Sequence, residues 1–304
     1  MSSPIKVVTI AGSGRSGSTI LSLLLSQDSS VFNLGQMRDI WTAWNDDAPC
    51  SCGHGLRGCP VYGTAVPRAL AAAGIADARQ AARLGVAFLN SAARLRDWGD
   101  EARRTELASH HAPYLAALQA LLVDIARQTG AHVFIDSSKS PEMALAFDCL
   151  DDVEMWLLHL QRDPRAVACS WHRKKSSYRK TLRNMRIWAR RQSRLERWAH
   201  ALGRRYHPLR YETFAARPRT AIADALSWGD LPAADAIFMD DNNVRLSWTG
   251  QHLFPPANEN VLNERRSEVE IRPAETWRAP QNRLLHWLAL AGTWPHARGF
   301  FRGA

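Results

Sequence analysis

Two stretches far apart in the chain carry residue types suited to holding anions. Gly12 to Thr19 reads G-S-G-R-S-G-S-T after the apolar run 5–11, and Arg162 to Ser170 reads R-D-P-R-A-V-A-C-S after the apolar run 155–160. A glycine-rich turn between a strand and a helix points free backbone N–H groups and the positive helix end at a phosphate. The first stretch has the spacing G-x-x-x-x-G-x-[ST] of a nucleotide-triphosphate loop, but Ser18 stands where such a loop needs lysine. The cation lies three residues earlier, at Arg15. Gly14, Arg15, Ser16, Gly17, Ser18 and Thr19 are therefore the candidate ligands of one anion. Arg162 and Ser170, eight residues apart, offer a guanidinium and a hydroxyl to another.

These residues need rigid elements behind them. Lys6–Ile10 reads as a buried strand, because Val7, Val8 and Ile10 run together as in parallel sheets. Ser18–Gln27 reads as a helix packed by Ile20, Leu21, Leu24 and Leu25. Residues 45–63 lack periodicity and form a long loop, and 66–98 and 103–128 have the spacing of a helical pair. Further strands are expected at 132–135, 155–160 and near 205–211. Asp163 and Pro164 suit the cap and first position of a helix, and 181–202 forms another, apolar at Met185, Trp188, Leu195, Trp198 and Leu202. Its cationic face, with Arg183, Arg186, Arg190, Arg194 and Arg197, reads as solvated. Strands alternating with helices imply an α/β fold: an open parallel sheet with helices on both faces. A single domain over 1–304 is expected, with a loop and helical insertion around 45–128.

The two anion motifs together resemble the sulfotransferases that use 3′-phosphoadenosine 5′-phosphosulfate (PAPS). The resemblance implies a P-loop-like fold, PAPS as co-substrate and 3′-phosphoadenosine 5′-phosphate (PAP) as product. It places the 5′-phosphosulfate on the Gly14–Thr19 loop and the 3′-phosphate on Arg162 and Ser170. Asp136 to Pro141, D-S-S-K-S-P, is similar to a family segment whose lysine reaches the active site, which assigns Lys139 with Arg15 to charge stabilisation. Arg210-Tyr211-Glu212 is similar to the segment whose tyrosine contacts adenine. Ile271-Arg272-Pro273, followed by Trp277, resembles the segment that brings a cation to the cofactor phosphates.

One position departs from the pattern. The family has glutamate as base after a glycine; here the pair is Gly35-Gln36, and an amide cannot take a proton near pH 7. Three alternatives stay open: Asp39 as base, His54 as base, or an acceptor acidic enough to need none. Gln36, Trp41 and Trp44 are candidate acceptor contacts, the indoles by stacking on a ring, although core packing is the default for most of the twelve tryptophans.

Of the 304 residues, 46% are hydrophobic and 22% charged, the balance of a globular protein. The net charge of +10 fits an anionic ligand, and no helix-turn-helix, RNP or zinc-finger pattern accompanies it, so nucleic acid is not expected. No apolar run reaches the ~20 residues of a membrane span, and the first residues lack a secretory leader; a cytoplasmic enzyme acting on a small-molecule acceptor is the expectation. Cys50, Cys52 and Cys59, with His54 between them, are too few for a disulfide scaffold and too tight for a C-x2-C knuckle. They are similar to a C-x-C-G…C-P segment of one bacterial branch of the family, and no metal is expected there. Two other classes compete with the transferase: a P-loop kinase or triphosphatase, with Asp136 helping to hold magnesium, and a non-catalytic nucleotide-binding module.

Overall fold

A computed structural model describes residues 4–173, 177–254, 264–294 and 296–297. Residues 1–3, the start of the stretch read for a leader, lie outside them. The central sheet has five parallel strands: β1 (Ile5–Gly12), β2 (Val31–Gly35), β3 (Val133–Lys139), β4 (Val153–Gln161) and β5 (Tyr206–Arg210), in the order β2-β3-β1-β4-β5. β1 lies in the middle, paired with β3 from Lys6↔Val133 and with β4 from Ile5↔Val153.

Side chains alternate across a strand, and β1 shows what each face buries. Ile5, Val7 and Ala11 enter one hydrophobic core with Phe134, Met155 and Leu157; Val8 and Ile10 enter another with Ile135, Leu158 and Leu160. The first core is covered by the helices of the insertion and by α7 (Pro141–Asp148). The second is covered by α1 (Ser18–Leu25) and α11 (Pro218–Gly229). Helices thus lie on both faces, and the α/β reading of the sequence holds.

The insertion is four helices rather than two: α3 (Tyr62–Ala72), α4 (Ala78–Ala92), α5 (Glu101–His110) and α6 (Ala112–Thr129), after the short α2 (Ile40–Asn45). The extra break between α3 and α4 has a local cause. Gly74 takes a left-handed φ of 65°, and Asp77 caps α4 by accepting from the Gln80 N–H at 2.7 Å. At the expected break, between α4 and α5, Asp100 caps α5 in the same way, from the Arg103 N–H at 3.1 Å; the second extra break falls at His111, just before Pro113 in the first turn of α6. An edge-on pair, Trp98 against Trp198 at 4.7 Å, fastens the insertion to α9 (Tyr178–Leu202).

α9 buries all five of its expected apolar positions. Its cationic face is only partly solvated, because Arg194 pairs with Glu142 and donates to the Ala93 carbonyl. Beyond β5 come α10 (Tyr211–Ala216), α11 and the antiparallel pair β6 (Asn243–Arg245) and β7 (Glu268–Glu270). α12 (Arg283–Thr293) packs on α8 (Pro164–Arg173) and α9.

Candidate active site

The candidate residues gather beyond the carboxyl ends of β1, β3 and β4, where open α/β sheets hold their ligands. β1 ends at Gly12, whose φ is 145°; a Cβ there would lie 2.3 Å from the Leu160 carbonyl oxygen. Only glycine lets the loop leave so close to β4. Gly17 closes the loop at φ 84° and precedes α1, whose first N–H groups have no partner within the helix. Added at Gly17, a Cβ would meet the Tyr211 ring at 2.9 Å. Gly17→Ala therefore combines a left-handed alanine, ~1–2 kcal/mol, with displacement of Tyr211. Urea unfolding should show a loss of at least that size; unchanged stability would mean that loop and ring adjust freely.

Arg15 stands at the centre of the site. Its Nε donates to the Ser170 hydroxyl at 3.0 Å, while Arg162 Nη1 donates to the Arg15 carbonyl at 2.6 Å. The Arg162 guanidinium also lies over the Tyr211 ring, 4.1 Å from its centroid. Arg162 and Ser170 thus meet through Arg15, not directly. Ser170 sits two turns into α8, whereas Arg162 precedes that helix, and the phosphate loop fills the space between them.

The charge here is in excess. Burial, followed by the neighbouring Arg162 and Arg173, depresses the affinity of Arg15 for its proton. Burial depresses that of Arg162 as well, against the pull of Tyr211 and Glu212. The carboxylates that act on Arg162 also hold other partners: Asp163 accepts the Arg165 guanidinium at 2.7 Å and Glu212 accepts the Asp163 N–H at 2.9 Å. Ser16 Oγ and Arg162 Nε are buried without a hydrogen-bond partner among the described residues. Free donors, surplus positive charge and a glycine cradle fit an anion of several oxygens.

Lys139 forms a second cationic centre, opposite Ala11 in the β1–β3 register. Its ammonium donates to the Ser137 carbonyl at 2.8 Å. Burial lowers its pKa to about 8; Asp136 and Asp39 resist the shift, while Arg38 and Arg191 add to it. Arg15 and Lys139 are two of only six non-glycine residues with positive φ among the described residues, at 71° and 60°. Strained backbone of this kind concentrates at functional sites.

Asp136 plays a positioning part. It is fully buried, accepts from the Met37 and Ser138 N–H groups, each at 3.2 Å, and bonds the Ser138 hydroxyl. Ser138 in turn accepts from the Arg38 N–H at 2.9 Å, and Ser137 donates to the Gly35 carbonyl at 3.0 Å. Residues 136–138 thereby fix the turn that carries Gln36 and Asp39. Gln36 is buried, and its carbonyl accepts the Asp39 N–H at 2.9 Å. The Asp39 carboxylate accepts Arg38 Nε at 3.3 Å and acts electrostatically on Lys139.

Several expected contacts fall elsewhere. Trp41 is 2% exposed inside the first core, so its ring has no face for an acceptor, and Trp44 packs partly buried against the same core. The helical register of α2 points Trp41 inward with Ile40. His54 is exposed and turned to Cys52, Nδ1 to Sγ 3.7 Å. Arg272 is exposed and paired with Glu270 at 3.5 Å, on the rim of a cavity of about 320 Å³ lined also by Ile20, Tyr211, Phe214 and Trp248. Arg38, Arg173 and Arg191 were not singled out by sequence, nor was Trp171, whose ring lies 3.2 Å from a Cβ at Gly14. Trp171 and Arg173, beside Ser170, and Arg38, between Gln36 and Asp39, carried a signal of proximity; Arg191 carried none.

Residues 8–235 match the model of the sulfotransferase family. Among solved structures, the chain is similar to the sulfotransferase domain of the olefin synthase from Synechococcus PCC 7002. The identity is 18% and the TM-score 0.50, covering 97% of this chain and 96% of that one. It is also similar to the sulfotransferase domain from the curacin biosynthetic pathway, at 14% identity and a TM-score of 0.48, covering 93% and 96%. A sulfotransferase from Mycobacterium avium is similar at 17% identity and a TM-score of 0.42, covering 76% and 65%. No curated protein matches the sequence.

Proposed function

The chain belongs to the sulfotransferase family, and we propose that it moves the sulfonate group of PAPS to a hydroxyl or amine of a small-molecule acceptor, releasing PAP. The observation that carries this reading is the half-buried Arg15 and the buried Arg162 at the glycine loop, Arg162 donating to the Arg15 carbonyl and Arg15 to the Ser170 hydroxyl, with Ser16 Oγ and Arg162 Nε left as buried donors that have no hydrogen-bond partner among the described residues. A triphosphatase would hold its phosphates with a lysine at position 18, and the chain has serine there.

PAPS supplies a sulfonate on a good leaving group, so the protein has mainly to position the reactants and stabilise developing charge. Gly14, Ser16, Gly17, Ser18 and Thr19 bind the 5′-phosphosulfate with backbone and hydroxyl donors. Arg162 and Ser170 take the 3′-phosphate, whose oxygens replace the Arg15–Ser170 hydrogen bond and free the Arg15 guanidinium for the ligand. Tyr211, with Arg272 at the rim of the neighbouring cavity, borders the nucleoside. The acceptor atom forms the new bond to sulfur as the bond from sulfur to the bridging oxygen breaks. Lys139 stabilises the charge on the transferring sulfonate. Asp39, carried on the turn that Asp136 and Ser138 fix, receives the acceptor's proton, and Gln36 beside it orients the acceptor through its amide.

Incubation with PAPS and a panel of phenols, amines and alcohols tests this reading. The expected result is a product gaining one SO₃ for each PAP released. PAP-binding protein that transfers to no acceptor would favour a non-catalytic module.

The pH profile reports Lys139. With the free-enzyme pKa at about 8, its proton is present below that value and lost above it. kcat/KM should therefore fall as pH rises through ~8. Lys139→Arg, which keeps its proton, should remove that limb; a limb unmoved in this variant would assign it to another group.

A further inference from the structure

The three clustered cysteines acquire in the fold a fourth neighbour that is remote in sequence. We infer that Cys50, Cys52, Cys59 and His252 form a structural zinc site. Their four donor atoms lie within 4.8 Å of one another. Cys50 Sγ and Cys59 Sγ are 3.8 Å apart, and Cys59 Sγ is 3.2 Å from His252 Nδ1. A tetrahedron with Zn–S bonds of about 2.3 Å has S···S edges of about 3.8 Å. The cysteines are unpaired thiols at this separation. Three sulfurs and one imidazole nitrogen are a closed, soft, four-donor set, the kind that selects zinc for a structural role. Binding would convert the thiols to thiolates and release their protons to solvent.

The surrounding backbone explains how so tight a spacing as C-x-C can serve. Gly53, at φ 97°, allows a turn in which its N–H bonds the Cys50 carbonyl at 3.0 Å and the Cys50 N–H bonds the His54 carbonyl at 2.8 Å. Cys50 and Cys52 therefore face the same side, and Cys59 joins them from the turn just before α3. His252 is delivered by a latch: the Ser51 N–H donates to the Leu253 carbonyl at 2.7 Å, and the Ser51 hydroxyl to the Gln251 carbonyl at 2.7 Å. The Leu253 N–H returns a bond to that hydroxyl at 2.8 Å. The imidazole plane is set by stacking on Phe32, 5.8 Å between centroids and 14° between planes.

His54, the histidine inside the cysteine segment, touches only Cys52 of the three sulfurs and is not part of the cluster. The site would tie the loop between α2 and α3 to the segment 251–254. That segment lies against the turn at Gly35, where a Cβ would come within 3.4 Å of the Phe254 nitrogen.

The test uses the full chain, prepared with its thiols reduced, stripped of metal and then supplied with zinc or cobalt alone. Native protein and His54→Ala should each retain about one zinc per chain after desalting and give the intense visible absorption of tetrahedral, thiolate-bound cobalt. Cys59→Ser and His252→Ala should lose the stoichiometric zinc. Circular dichroism identifies variants that remain folded, and a zinc-dependent rise in the native unfolding temperature gives a readout without any substitution. Folded, reduced native protein that takes up neither metal would overturn the proposal. Full retention of zinc by folded His252→Ala, with loss in His54→Ala, would overturn it equally.

Discussion

Lys139→Ala is expected to slow single-turnover sulfonate transfer at saturating PAPS by ~10²–10³, the usual effect of removing one donor aimed at developing charge. Affinity for PAP should change little, because the product lacks the sulfonate. The geometry explains the size. The ammonium is partly buried, held in a strained backbone at φ 60°, and supported by a bond to the Ser137 carbonyl. It is thus pre-positioned and poorly replaced by water. Arg15→Ala should differ by losing both turnover and affinity, since its guanidinium reaches Ser170, at the proposed 3′-phosphate position, as well as the phosphate loop. Near-native turnover in Lys139→Ala would reduce that lysine to a strand-end residue.

The second large effect is expected on binding. Arg162 is 8% exposed, with one nitrogen unpartnered among the described residues, so a phosphate bound there makes buried, charge-assisted hydrogen bonds. Losing them in Arg162→Ala should weaken PAP by about 1.5–3 kcal/mol, roughly 10- to 150-fold. The variant should recover much of its rate at high PAPS. A fall in the saturated rate with unchanged affinity would place Arg162 against the transferring group instead.

What could be read from the sequence follows from how local each signal is. β1 and β4 are long, mostly apolar strands and β3 opens on Val133, Phe134 and Ile135, while the Gly12–Thr19 loop carries its glycines and hydroxyls in one contiguous segment; each was legible. β2 was not. Only Val31, Phe32 and Leu34 are apolar there, interrupted by Asn33, and the strand is recognised by its pairing to β3. The β6–β7 pair, three residues a side, gives even less.

Side-chain partners chosen by the fold were hidden in the same way. Arg15 reaches Ser170 across 155 residues, and Cys59 reaches His252 across 193. His54 looked the natural companion of the cysteines because it is near in sequence. Trp41 looked available to an acceptor because it follows Asp39, yet one helical turn decides whether an indole faces the cavity or the core. Asp136 was legible as a strand-end carboxylate, but its hold on the Met37–Asp39 turn required the β2–β3 register.

Calorimetry of PAP, its 3′-dephosphorylated form and ATP, all without magnesium, tests the central claim most directly, because each ligand isolates one part of the proposed site. PAP should bind without the metal, since arginines and backbone donors neutralise its phosphates. Removing the 3′-phosphate should weaken it by about the amount that Arg162→Ala does, and ATP should bind far more weakly than PAP. Equal affinity for PAP and the 3′-dephosphorylated nucleotide, or tight ATP binding that appears only with magnesium, would contradict the assignment of this site to PAPS.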